Sequence, residues 1–98
     1  MEDLTFTVVL WRSEAEDAWR FVTVPADLTE DFRFAAGPPK GFGSVPVEVT
    51  VGATTWLTSL FPDTRRGSYL LPVKKAVRQT EGLDDGDEMR ITLRILAQ

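Results

Sequence analysis

The chain has 98 residues, 43% hydrophobic and 27% charged, with a net charge of −4 and neither cysteine nor histidine. That composition fits one small globular domain and leaves out disulfides, thiolate metal sites, cysteine nucleophiles and every mechanism that needs an imidazole. The acidic total disfavours non-specific nucleic-acid binding by the whole chain, and no apolar run approaches the roughly 20 residues a membrane helix needs.

Leu4, Phe6, Val8 and Leu10 alternate with Thr5, Thr7 and Val9, which predicts a first strand with one buried face. Met1-Glu2-Asp3 is acidic and runs straight into that strand, so no signal peptide is expected. With the missing cysteines, this points to a cytoplasmic protein. Residues 12–17 are polar and read as a loop. Trp19 to Val24, rich in aromatic and β-branched residues, predicts a second strand stopped by Pro25. Asp27 or Thr29 caps a short helix through Phe34, with Glu30 and Asp31 near its N-terminus. Residues 35–43, with Pro38, Pro39 and three glycines, form a loop.

Val45, Val47, Val49 and Val51 alternate with Pro46, Glu48 and Thr50 in a third strand, and Pro46 marks either an edge or a strand start. Gly52-Ala53 turns the chain into a fourth strand, Thr54 to Phe61. Residues 62–67 form a turn carrying an exposed Arg65-Arg66 pair, and Tyr69 to Leu71 is a fifth strand. Pro72 takes the first helical position, where its missing N–H costs nothing. Val73, Ala76 and Val77 make the buried helical stripe, with Lys74, Lys75 and Arg78 pointing away. Gly82 ends the helix and Leu83 follows as its hydrophobic partner. Asp84-Asp85-Gly86-Asp87 turns the chain. Met89, Ile91, Leu93 and Ile95 then face a core, while Arg90, Thr92 and Arg94 face water.

The expected order is β-β-α-β-β-β-α-β over 1–98: a mostly-β, six-stranded barrel, closed or double-split, with two short capping helices. Phe21-Val22-Thr23-Val24-Pro25, with the helix, glycine loop and valine strand after it, resembles Tyr69-Leu70-Leu71-Pro72 and its sequel. As a structural repeat it would set two halves about a pseudo-two-fold axis and remove exposed edges. The alternative is an accidental likeness.

Two families are similar to parts of this pattern. Leu71-Pro72 through Gly82-Leu83 and Gly86-Asp87 resembles AbrB/MazE-type swapped-hairpin domains, over less than a third of the chain. A wider set looks like a small prokaryotic family known only as a domain of unknown function. It comprises Trp19-Arg20-Phe21, Lys40-Gly41-Phe42-Gly43-Ser44-Val45, Thr54-Thr55-Trp56, Thr58-Ser59-Leu60-Phe61-Pro62, Leu71-Pro72-Val73-Lys74-Lys75, Arg78 and Gly86-Asp87. That resemblance implies a double-split β-barrel with capping helices and carries no activity. Family members stand alone or precede a bacteriocin-protection-type segment. None is expected here, since the sequence stops at Gln98.

Several residue groups are candidate ligand sites. Lys40, Gly41, Phe42, Gly43 and Ser44 form a glycine loop whose backbone N–H groups could approach an anion, with a charge from Lys40 and a donor from Ser44. It has neither the ending of a Walker A loop nor the strand-to-helix setting of a dinucleotide fingerprint. The alternative is a plain turn with Phe42 plugging the barrel end. Lys74, Lys75 and Arg78, with Arg65 and Arg66, form a basic segment suited to an anion at a helix start, or else a solvated face. Trp56, Ser59 and Tyr69, with Thr58, read as a pocket lining or as core and rim. Trp11 and Trp19 read as packing. Asp84, Asp85, Asp87 and Glu88 lack an EF-hand spacing and read as an acidic turn rather than a metal site.

No catalytic residue, metal or cofactor emerges. The leading expectation is a non-catalytic binding or interaction domain for a small anionic ligand or a protein partner. An AbrB-like DNA-binding dimer is the second and an enzyme the third; the oligomeric state stays open.

Overall fold

Alternating valines and leucines produce strands here because every second side chain faces a shared interior. The computed structural model describes residues 3–14, 19–28, 43–63 and 65–96. Among them it has seven strands: β1 (Leu4–Val9), β2 (Trp11–Arg12), β3 (Arg20–Thr23), β4 (Val45–Val51), β5 (Thr54–Asp63), β6 (Ser68–Pro72) and β7 (Glu88–Ile95). A single 3-10 turn, Ala26–Leu28, follows β3, and one α-helix, α1 (Lys75–Glu81), links β6 to β7. The strands pair antiparallel in the order β1-β7-β4-β5-β6-β3-β2 and curl into a nearly closed barrel.

Two lengths of chain close that barrel. β1 and β2 are one extended segment interrupted at Leu10; β1 pairs with β7, and β2 pairs with β3. At the break, Leu10 N–H donates to the Asp87 carbonyl (3.0 Å) and its own carbonyl accepts from Gly86 N–H (2.8 Å). β5 does the same on the other side. Its residues through Leu60 pair with β4, and from Phe61 onward they pair with β6. Leu10 and Leu60, at these two crossings, are both 0% exposed.

The inward residues form one cluster, including Phe6, Val22, Val47, Val49, Leu71, Ile91 and Leu93. Its one buried polar residue among those described, Ser68, donates its hydroxyl to the Val24 carbonyl and so is satisfied. Outward, a row of threonines crosses four strands. Thr5 lies opposite Thr92, Thr92 opposite Thr50 and Thr50 opposite Thr55, with hydroxyl bonds at 3.1 Å (Thr5–Thr92) and 3.0 Å (Thr50–Thr55). Cross-strand pairs of this kind favour one register over its neighbours.

Five details differ from the sequence reading, the first being that Pro62 and Asp63, read as the start of a turn, still lie in β5 opposite Tyr69 and Ser68. The strands number seven rather than six, because Trp11–Arg12, read as the edge of a loop, bends away from β1 and takes a new partner. Two residues are too few for alternation to register. Of the two expected helices, α1 is the one α-helix among the described residues. After β3 only the 3-10 turn is described, and the rest of the helix expected through Phe34 lies outside the described residues. Pro72 ends β6 opposite Phe21 instead of starting the helix. The ladder runs one residue further, Val73 N–H donating to the Arg20 carbonyl at 2.9 Å, and Lys74 becomes the N-cap. Ala76, placed on the buried stripe, is exposed, while Val73 and Val77 are buried. Pro46 sits at the start of β4, which is an interior strand with partners on both sides. At the far end of α1, Gly82 takes a left-handed φ of 65° and Leu83 N–H returns to the Arg78 carbonyl at 2.8 Å, closing the helix as read.

Leu10→Ala should cost about 2–5 kcal/mol, since it opens a cavity where the barrel closes. Leu57→Ala, at an exposed position of β5, should stay within about 0.5 kcal/mol. Urea melts of the two variants check this; equal costs would mean that the Leu10 crossing has no special weight.

Candidate functional site

β5 carries apolar side chains on both faces. Trp56 and Leu60 point inward and are buried, whereas Leu57 (68% exposed) and Phe61 (45%) point outward. A strand with one solvated face normally presents polar residues there. Beside β5 lie Trp19, just before β3 and 51% exposed, and the end of β6 at Pro72. α1 packs alongside β5. Its last residue accepts a hydrogen bond from β5, Thr54 Oγ1 to Glu81 Oε2 at 2.6 Å. Gly52 is required below that contact: it holds φ +57°, and a Cβ there would collide with the Glu81 carboxylate.

These elements enclose a groove of about 790 Å³. Its lining comes from Trp19 and Arg20, from Trp56, Leu57, Thr58 and Phe61 of β5, and from Pro72 to Lys75 with Arg78. The size is ordinary for a small-molecule site. The cations differ in how they are engaged. Arg20 Nε pairs with Asp85 at 2.6 Å, and Arg78 Nε donates to the Val73 carbonyl at 3.1 Å. Lys74 and Lys75 are exposed, and no carboxylate among the described residues lies within salt-bridge range of either.

Of the residues singled out in the sequence, Trp56, Lys74, Lys75 and Arg78 converge on this groove. Lys40, Gly41 and Phe42 lie outside the described residues. Gly43 has a left-handed φ of 82°, and Ser44 precedes β4. Ser59 is on β5 and half-buried, Tyr69 is packed in the core, and Arg65 is exposed on the turn after β5. Arg66 on that turn binds Asp63 at 2.6 Å and stands over the Trp11 ring, 5.1 Å from its centroid. The acidic turn serves structure. Asp85 holds Arg20, and Asp87 accepts from Asp84 N–H at 2.8 Å. Among the described residues no group of three metal-ligating side chains forms. No helix there is long and apolar enough to cross a membrane.

Trp19, Arg20, Leu57, Phe61, Pro72 and Val73 line the groove and were not among the site residues read from the sequence. The available signal was the pair of apolar doublets in β5, Trp56-Leu57 and Leu60-Phe61, which puts large side chains on both faces of a strand.

Fold and groove together define a small, nearly closed antiparallel β-barrel domain with a concave, partly apolar outer wall. The chain belongs to the family described as a Domain of unknown function (DUF1905), whose model matches residues 6–93, from the first core phenylalanine in β1 to the last core leucine in β7. No curated protein matches the chain.

The Arg66 hydrogen bond holds the Asp63 carboxyl below its ordinary value of 3.8, against the opposing effect of burial. A carboxyl depressed on folding contributes stability above its unfolded value, and that contribution is lost as pH falls through the folded value. In Arg66→Ala, Asp63 should titrate closer to 3.8, as followed by the pH dependence of its side-chain NMR signals. An unchanged midpoint would remove Arg66 as the cause.

Proposed function

We propose that this chain is a single non-catalytic binding domain, acting in the cytoplasm, and that the groove between β3, β5 and α1 takes a small anionic ligand. One observation carries the reading. Among the described residues, three of the four exposed large hydrophobics, Trp19, Leu57 and Phe61, line the same groove as Lys74 and Lys75. Clustered exposed apolar surface marks binding sites, whereas scattered exposed leucines do not. Lysines without a carboxylate beside such a surface complement an anion, and the apolar floor lowers the local dielectric and strengthens that attraction.

The barrel is read as double-split, from two related halves. β3 pairs with β6 and β4 with β7, each antiparallel, and Leu10 and Leu60 occupy matching crossings, as a two-fold axis would give. On this reading the groove lies between the halves, with Trp19 and Arg20 from the first and β5 and α1 from the second.

Thermal-shift measurements with inorganic phosphate, nucleotides and acidic metabolites test the proposal. A ligand at 100 times its Kd should stabilise the fold by about 2.7 kcal/mol, and Lys74→Ala with Lys75→Ala should abolish the shift. No stabilisation by any of these anions would end the reading. Duplex DNA in the same screen, bound as a dimer with steep salt dependence, would replace it with a DNA-binding regulator.

A further inference from the structure

We infer that the ligand joins a planar aromatic group to an anionic group, the chemistry of a nucleoside monophosphate, with its ring on Trp19 and its anion at Lys74 and Lys75. The inference rests on the groove reading above and narrows it.

Its basis is a row of rings that ends in the groove. The Arg66 guanidinium lies over Trp11, 5.1 Å from the ring centroid. Trp11 meets Phe21 at 5.3 Å and 38°, and Phe21 lies nearly parallel to Trp19 at 5.9 Å and 10°. Trp11 is itself fixed, because its Nε1–H donates to Thr23 Oγ1 at 3.1 Å. The row therefore begins on an anchored indole and finishes on Trp19, an indole held on one side by Phe21 yet 51% exposed. An exposed indole that already packs against a neighbouring ring has less side-chain freedom to lose when a second ring covers it, which suits Trp19 to stacking.

Ligand class follows from how the rest of the groove is arranged. An aliphatic acid would use Leu57, Phe61 and the lysines and leave Trp19 wet. A bare phosphate would use the lysines alone. A planar ring carrying a phosphate uses the indole, the apolar floor and both lysines together. The charges around Trp19 also favour one nucleotide over a strand. Beside Trp19, Arg20 is held by Asp85, and Asp84 and Glu88 are exposed on and just after the same turn, so a polyanion continuing past the indole would meet carboxylates.

The test is a titration of the whole chain, read by tryptophan fluorescence and thermal shift, with adenosine 5′-monophosphate, ribose 5-phosphate, adenosine and a short single-stranded oligonucleotide. Adenosine 5′-monophosphate should quench fluorescence and bind about tenfold more tightly than ribose 5-phosphate, the gain one stacked base supplies. Trp19→Ala should erase that advantage while leaving ribose 5-phosphate binding unchanged, and Trp19→Phe should restore much of it. Lys74→Ala with Lys75→Ala should reduce adenosine 5′-monophosphate to the level of adenosine. Circular dichroism and the melting temperature check that each variant is folded, and Leu57→Ala provides a second groove variant on an exposed position. Equal binding of the two phosphates, with Trp19→Ala silent, overturns the inference and leaves the anion site standing. No binding of either phosphate overturns the inference, and the anion reading falls with it when the wider screen of acidic metabolites is also blank. Tighter, steeply salt-dependent binding of the oligonucleotide overturns the single-nucleotide assignment.

Discussion

The structure depends on two segments of chain that each serve two sets of partners. Residues 4–12 pair with β7 and then with β3; residues 54–63 pair with β4 and then with β6. Without them the molecule would be two small sheets with four open edges, and exposed edges invite pairing with other chains. The change of partner requires a bend, and a bend interrupts the ladder, so its backbone groups need other partners. At Leu10 the turn before β7 supplies them, through Gly86 N–H and the Asp87 carbonyl. A fully buried leucine at each crossing then fills the space that the bend leaves.

The groove is a by-product of the same arrangement. Where β5 leaves β4 and joins β6, its outward side chains come to lie beside the start of β3 and under α1. Contacts at its far end hold the helix beside β5. Gly52 leaves room for Glu81, Thr54 binds it, and Gly82 with Leu83 closes the last turn. Apart from the short stretch between β6 and α1, the groove is therefore built on strands and a pinned helix, the kind of support that holds binding groups at fixed spacing.

Much of the fold was legible in the sequence, and what was not has a common cause. β4 and β7 declare themselves through strict alternation of Val45 to Val51 and Met89 to Ile95, and the Gly82-Leu83 helix ending is local chemistry. The features that escaped depend on partners distant in sequence. Trp11–Arg12 is a strand only because residues 20 and 21 lie alongside. Pro72 and Pro62 read as breakers but sit in ladders, opposite Phe21 and Tyr69, on β6 and on the late part of β5. Tyr69, read as either pocket lining or core and rim, is in the core. The candidate site divides in the same way. The basic cluster of Lys74, Lys75 and Arg78 is contiguous and was visible. Trp19 joins it from a strand more than fifty residues away, brought there by the β3–β6 pairing.

The Arg20–Asp85 ion pair has a consequence for how the barrel opens. Arg20 stands in the groove wall, and Asp85 belongs to the turn whose next two residues hold Leu10. Prying the seam apart at Leu10 displaces that turn and pulls on Arg20, and loosening the start of β3 tugs on the turn. One ion pair thus joins the closing seam of the barrel to the wall of the groove.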